Sequence, residues 1–196
     1  MKIGIYGGTF NPPHMGHLIV AERVRTELAL DSIIFIPTFI SPHKQEGESG
    51  EPLDRLRMTK LAILDNEKFQ ALDFEINSKS VSYTVKTLEY LKRTKPDDTF
   101  YLLIGMDNYI TFHLWKEPKK ILEMATLVVM SRPGYPKQVN EVLGTQNTVF
   151  IDVPNIDISS SNIRDRVEQW KSVRYLVPEP VETYIHNKGL FKKINP

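Results

Sequence analysis

The chain has 196 residues, 41% of them hydrophobic and 25% charged, which is enough for one compact domain spanning 1–196 with a substantial core. Lys and Arg number 25 against 24 Asp and Glu, so the formal charge of +1 provides no global field for nucleic acid or an anionic membrane, and any anion site must be local. Cysteine is absent, which excludes disulfides, thiolate metal sites and a thiol nucleophile; no apolar run reaches the length of a signal-peptide core or a membrane span, and a cytoplasmic protein is the expectation.

In chain order, a short apolar strand over Lys2 to Tyr6 runs into a glycine turn and then a helix over Gly16 to Leu30, with Leu18, Ala21, Val24 and Leu28 on one face. A strand over Ser32 to Pro37 follows. The stretch from Ser41 to Pro52 has no periodicity and two glycines, which reads as a surface loop with the character of a lid. Strands are predicted over Phe69 to Phe74, Thr99 to Ile104, Thr126 to Met130 and Val149 to Val153, and a helix over Thr84 to Leu91 aligns Val85, Leu88 and Leu91. Two terminal helices complete the pattern. One starts at Asn162 with Ile163, Val167 and Trp170 at core spacing; the other runs from Pro180 to Asn187 with Val181, Tyr184 and Ile185 inward and Gly189 as its stop. Alternating strands and helices predict an α/β fold, a doubly wound parallel sheet with carboxyl-terminal helices, whose ligands bind beyond the carboxyl ends of the strands.

The segment Gly7-Gly8-Thr9-Phe10-Asn11-Pro12-Pro13-His14-Met15-Gly16-His17 joins the first strand to the first helix. A strand, a tight turn and a helix start aim unpaired N–H donors and the positive end of a macrodipole at one point, a geometry suited to phosphate. Neither G-x-G-x-x-G nor G-x-x-x-x-G-K-[ST] occurs, so other donors are needed, and His14 and His17 could turn both rings to the same anion while Gly16 admits it to the backbone. For an isolated H-x-x-H, two solvated histidines at a helix start is the competing reading. A zinc site lacks a nearby third ligand in sequence.

Near the other end, Ile158-Ser159-Ser160-Ser161-Asn162-Ile163-Arg164 leads into the first terminal helix, with Ser161 predicted as its N-cap and Arg164 in the first turn. An arginine there opposes the helix dipole unless an anion shares the site, held by the guanidinium and the hydroxyls of Ser160 and Ser161; a plain cap with a solvated arginine is the alternative. Lys44, Gly105, Asp107 and Arg132 each follow a predicted strand, and parallel strands would deliver them to one crevice, although each also fits an ordinary turn, loop or cap. The helix start at Tyr83 and Thr84 offers N–H groups for a second, smaller anion, and Trp115, next to Leu114, could stack on a cationic ring; capping and core filling are the competing roles.

The eleven-residue glycine and histidine segment resembles the long form of the H-x-G-H signature of the nucleotidylyltransferase superfamily, as found in bacterial nicotinate mononucleotide adenylyltransferases. The serine-rich segment is similar to the I-S-[ST]-[ST]-x-I-R motif of the same family, with Ser161 where threonine is common. The resemblance covers essentially the whole chain and implies a Rossmann-like nucleotidylyltransferase fold. It implies transfer of the adenylyl group of ATP to nicotinate mononucleotide, giving nicotinate adenine dinucleotide and pyrophosphate. Gly7, Gly8, Thr9, Phe10, His14, His17, Gly105, Asp107, Arg132, Ser160, Ser161 and Arg164 would then meet ATP. Lys44, Tyr83, Thr84, Leu114 and Trp115 would meet the mononucleotide. His14, His17, Arg164 and Lys44 would offset charge on the reacting phosphates. No carboxylate cluster lies near the motifs, so Mg2+ is expected to be carried with ATP. A nicotinamide or phosphopantetheine acceptor, or a non-catalytic nucleotide sensor, are the rival readings, and a homodimer is left open.

Overall fold

Short runs of Ile, Val, Leu and Phe form six strands: β1 (Lys2–Gly8), β2 (Ser32–Pro37), β3 (Phe69–Ala71), β4 (Thr99–Gly105), β5 (Ala125–Met130) and β6 (Thr148–Ile151). The computed structural model describes residues 1–42, 50–131 and 147–192. All neighbouring strands pair in parallel in the order β3-β2-β1-β4-β5-β6. The chain therefore winds outward from β1 in one direction and from β4 in the other. A crevice opens where the order reverses, beyond the carboxyl ends of β1 and β4.

Both faces of the sheet are covered, which is why its strands read as nearly continuous apolar runs. On one face Ile5, Ile34, Leu102 and Val129 pack with Val85, Leu88 and Leu91 of α4 (Thr84–Thr94). On the other, Ile33, Phe35, Leu103 and Val128 meet Ala21 and Val24 of α1 (Met15–Glu27). Ile163 and Val167 of α7 (Ser160–Glu168) and Val181 and Ile185 of α8 (Glu179–Lys188) belong to that second cluster. Gly189, at φ 62°, ends α8 in the left-handed conformation expected of it.

Several expectations need correction. α1 stops before Leu28, where the chain turns through Ala29 at φ 47°. The third strand ends at Ala71 because the chain turns into a five-residue helix, α3 (Phe74–Ser78). Helices α2 (Pro52–Ala62), α5 (Met106–Ile110) and α6 (Pro118–Met124) occupy segments without a predicted element. Trp170 is not a core residue: it follows α7 at φ 58° and is 80% exposed, because the helix closes at Glu168 before the next inward position. The N-cap of α7 is Ser159 rather than Ser161, its hydroxyl accepting the Asn162 N–H at 3.1 Å. Most of the expected lid falls on 43–49, outside the described residues.

The Ser159 cap makes a stability prediction. Ser159→Ala leaves an N–H of α7 without its side-chain acceptor and should lower the free energy of unfolding by about 1 kcal/mol, read from urea titrations.

Candidate active site

A cavity of about 580 Å3 fills the crevice at the reversal point, within the usual range for a small-molecule site. Ile5 to Phe10 form one wall, Leu102 to Gly105 and Asp107 a second, Ser82 to Thr84 a third, and Ile156, Ile158, Ser159 and Ser160 a fourth. The two motifs at opposite ends of the chain meet here. Ser160 donates its hydroxyl to the Pro12 carbonyl at 2.8 Å, and Arg164 Nη1 donates to the Asn11 carbonyl at 2.8 Å. These bonds span 148 and 153 residues.

A third donor comes from α2. Arg55, only 1% exposed, is in no ion pair among the described residues and spends its guanidinium on carbonyls: Nε on Gly50 at 2.9 Å, Nη1 on Thr9 at 2.8 Å and Nη2 on Phe39 at 2.9 Å. Burial pushes its pKa down to about 10, so it stays charged at neutral pH. The Gly8 carbonyl accepts from Thr38 N–H at 3.0 Å. Four carbonyls of the glycine-rich turn, Gly8, Thr9, Asn11 and Pro12, are thus taken up by donors from outside it, which biases the turn towards presenting N–H groups to the cavity.

His14 is the N-cap of α1, and its own N–H donates to His17 Nδ1 at 3.2 Å. His17 Nδ1 is therefore an acceptor, and the ring proton of the neutral imidazole sits on Nε2. The two rings lie nearly face to face, with centroids 3.6 Å apart and planes inclined by 30°. Gly16 makes this packing feasible: a Cβ there would sit 3.1 Å from His14 Nδ1. Burial lowers His14 to about 4, and burial together with the neighbouring His14 holds His17 well below its ordinary value, so both are neutral at pH 7. His14 Nδ1 is buried with no hydrogen-bond partner among the described residues.

Of the residues singled out in the sequence, Gly7, Gly8, Thr9, Phe10, His14, His17, Tyr83, Thr84, Gly105, Asp107, Leu114, Trp115 and Ser160 line the cavity together. Arg164 and Ser161 are not among the lining residues; they are joined to each other by an Arg164 Nη2 to Ser161 hydroxyl bond of 3.1 Å. Lys44 and Arg132 lie outside the described residues. Arg55 and Glu75 were missed. A charged residue inside an apolar helix face carries no local signal of its role, and only the neighbouring carbonyls or hydroxyls in space reveal it. Among the described residues no group of three or more His, Cys, Asp or Glu could hold a metal ion, and the cavity wall carries two carboxylates, Glu75 and Asp107. No helix there is long and apolar enough to cross a membrane.

Paired histidines after one strand and a serine and arginine segment closing on them thus meet beyond the carboxyl ends of a doubly wound sheet, where such sheets bind their ligands. A model of the cytidylyltransferase-like family matches residues 5–166. A probable nicotinate-nucleotide adenylyltransferase of Desulfitobacterium hafniense is 41% identical over 97% of this chain and 96% of its own length. That of Geobacillus thermodenitrificans is also 41% identical, over 97% and 86%. Among solved structures, Plasmodium falciparum nicotinic acid mononucleotide adenylyltransferase complexed with NaAD covers 97% of both chains with a TM-score of 0.81 at 21% identity, a likeness of fold. The chain belongs to the cytidylyltransferase-like family, in its nicotinate-nucleotide adenylyltransferase branch.

The buried histidines predict a pH dependence of stability. Between 6.5 and about 4 the unfolded chain binds a proton that folded His14 refuses, so this contribution is complete above pH 6.5 and is lost as the pH falls towards 4. Urea unfolding at pH 5 should show about 2 kcal/mol less stability from this group than at pH 7. His14→Gln should lack that share of the drop; an equal drop in parent and variant would count against a neutral buried His14.

Proposed function

We propose that this chain transfers the adenylyl group of ATP to nicotinate mononucleotide, giving nicotinate adenine dinucleotide and pyrophosphate, as a cytoplasmic enzyme. The observation that carries the reading is the meeting of the paired-histidine turn and the serine and arginine helix start across one cavity at the reversal of strand order. A phosphate oxygen of the mononucleotide attacks the α-phosphorus of ATP. The bond to the α–β bridging oxygen breaks, and that oxygen leaves with the electron pair as pyrophosphate. The nucleophile is already an anion, so no general base is required, and rate comes from in-line positioning and from donors placed where charge shifts.

His17 Nε2–H and the His14 ring face the α- and β-phosphates. Ser160 and the α7 start lie against the departing β- and γ-phosphates. Arg164 uses two of its five N–H groups on Asn11 and Ser161, which leaves three for phosphate oxygens beyond Ser160. From the sequence alone, Lys44 is assigned to the incoming phosphate and Arg132 to the adenylyl half. Mg2+ is carried in as the ATP complex, where it supplies positive charge to the phosphate oxygens. At the far wall Thr84 and Val85, in the first turn of α4, present N–H groups outside the helix's own ladder to the nicotinate carboxylate. Trp115, at the cavity wall beside Phe112, stacks on the pyridinium.

Pyrophosphate release with saturating ATP and nicotinate mononucleotide tests the assignment. His17→Ala and Arg164→Ala should each lower kcat by about 10²- to 10³-fold in folded protein; near-parental turnover in either would remove that residue from the reaction. Trp115→Ala should chiefly raise KM for the mononucleotide, and an unchanged KM would end the stacking role.

A further inference from the structure

Full charge is scarce in the lining of this cavity. Among the described residues Lys116 is the one Lys or Arg there, and the mechanism above gives it no role. It follows Trp115 in the link between the short 3-10 turn Phe112–Leu114 and α6, and that link closes at Glu117, φ 53°, the N-cap of α6. Its Nζ lies over the Tyr83 ring, 4.5 Å from the centroid, and Tyr83 is both the N-cap of α4 and a lining residue. Two contacts keep α6 against α4: Ile121 is buried in the same cluster as Leu88, and Lys120 pairs with Glu89. The fold thus sets the ammonium beside the wall that Tyr83, Thr84 and Trp115 share. Lys116 takes part in no ion pair among the described residues, and the neighbouring Glu117 acts on Lys120.

The two rival acceptors differ at this wall by one unit of charge. The nicotinate ring is a pyridinium bearing a carboxylate and is neutral overall, whereas the nicotinamide ring keeps the pyridinium alone and is a cation. Ribose and phosphate are common to both, so any attraction of Lys116 to them cancels when the two are compared. What remains is the ammonium against the ring: it attracts the carboxylate of the acid and meets only positive charge in the amide. The sign of the preference follows from charge and needs no particular hydrogen bond. The carboxylates of the lining act the other way when ionised, since Asp107 and Glu75, whose Oε1 accepts from Thr87 Oγ1 at 2.6 Å, both favour a cationic ring. Lys116 is the one full charge in the described lining that favours the acid.

We infer that Lys116 is a specificity-determining residue: its ammonium, seated on the Tyr83 ring beside Trp115, biases the site towards an acceptor whose pyridinium carries a carboxylate. The inference rests on the acceptor assignment proposed above and goes beyond it by naming the side chain whose charge discriminates.

The test is the ratio of kcat/KM for nicotinate mononucleotide to that for nicotinamide mononucleotide, with melting temperature as a check on folding. An ammonium several ångströms from the ring at a water-accessible wall should contribute about 3- to 10-fold to that ratio. Lys116→Met should lower the ratio by that factor, Lys116→Glu should lower it by about 10-fold or more, and Lys116→Arg should hold it within about twofold. Lys116 is exposed, so all three variants should melt within about 2 °C of the parent. Should Lys116→Met not fold, Lys116→Gln removes the same charge and carries the same expectation. Salt gives a second reading that a packing role would not move: raising KCl from about 50 to about 500 mM should lower the parent ratio about two- to threefold and leave that of Lys116→Met nearly flat. Folded Met and Glu variants with ratios within about twofold of the parent would overturn the inference, as would a Met variant that keeps the parent's salt dependence. Parent enzyme that turns over neither acceptor would sink the proposed function itself. A parent preference for the amide would overturn the acceptor assignment, and this inference with it, while leaving adenylyl transfer intact.

Discussion

Everything at this site depends on where the carbonyls of the glycine-rich turn go. A backbone turn is as ready to present oxygen to a ligand as nitrogen, and a phosphate tolerates only the second. Here Thr38 N–H, Arg55, Arg164 and Ser160 take the carbonyls of Gly8, Thr9, Asn11 and Pro12. The donors come from the end of β2, from α2 and from α7, elements that share no local sequence with the turn. The polarity that the amino-terminal turn presents is therefore a tertiary property. A guanidinium as costly to bury as that of Arg55 is tolerated because each of its nitrogens is matched to a carbonyl, one of them that of Thr9 in the turn.

The same constraint orders the roles of Arg164. Its bond to Asn11 is as short as that of Arg55 to Thr9, so before any ligand arrives it already braces the turn against α7. Loss of Arg164 would then act in two ways, by removing a donor and by freeing a carbonyl. A neutral hydrogen-bonding residue could replace at most the second. The Ser159 cap and the Ser160 strut divide the remaining work of fixing the helix start, so the three consecutive serines have three different partners: Asn162, Pro12 and Arg164.

The parallel sheet, its reversal point and the helices packed by Val85, Leu88 and Leu91 or by Val181 and Ile185 were legible because their apolar periods are unbroken. The motifs were legible because their spacing survives as sequence. α2 was not, since its buried face includes Arg55 and Thr59, and polar residues at inward positions erase the period that would reveal the helix. Trp170 misled for the opposite reason: an aromatic at a plausible interval after Val167 looks like core until the helix is seen to end before it. Ser161 and Ser159 are equally good caps in one dimension, and only the Asn162 N–H direction separates them. Glu75 was invisible because its meaning lies in Thr87, twelve residues away on another helix.

The site's charge follows a related logic. A permanently cationic cage would hold ATP and pyrophosphate alike, and uniform binding of substrate and product gains nothing in turnover. The lining of this cavity instead sets the neutral imidazoles of His14 and His17 and the hydroxyls of Ser82, Thr84 and Ser160 beside a single lysine, Lys116, among the described residues, while the buried cation Arg55 points its charge at carbonyls. Stacked rings 3.6 Å apart resist holding two protons at once. Desolvation thus turns two side chains that titrate near neutral pH in water into imidazoles that stay uncharged at the cavity wall.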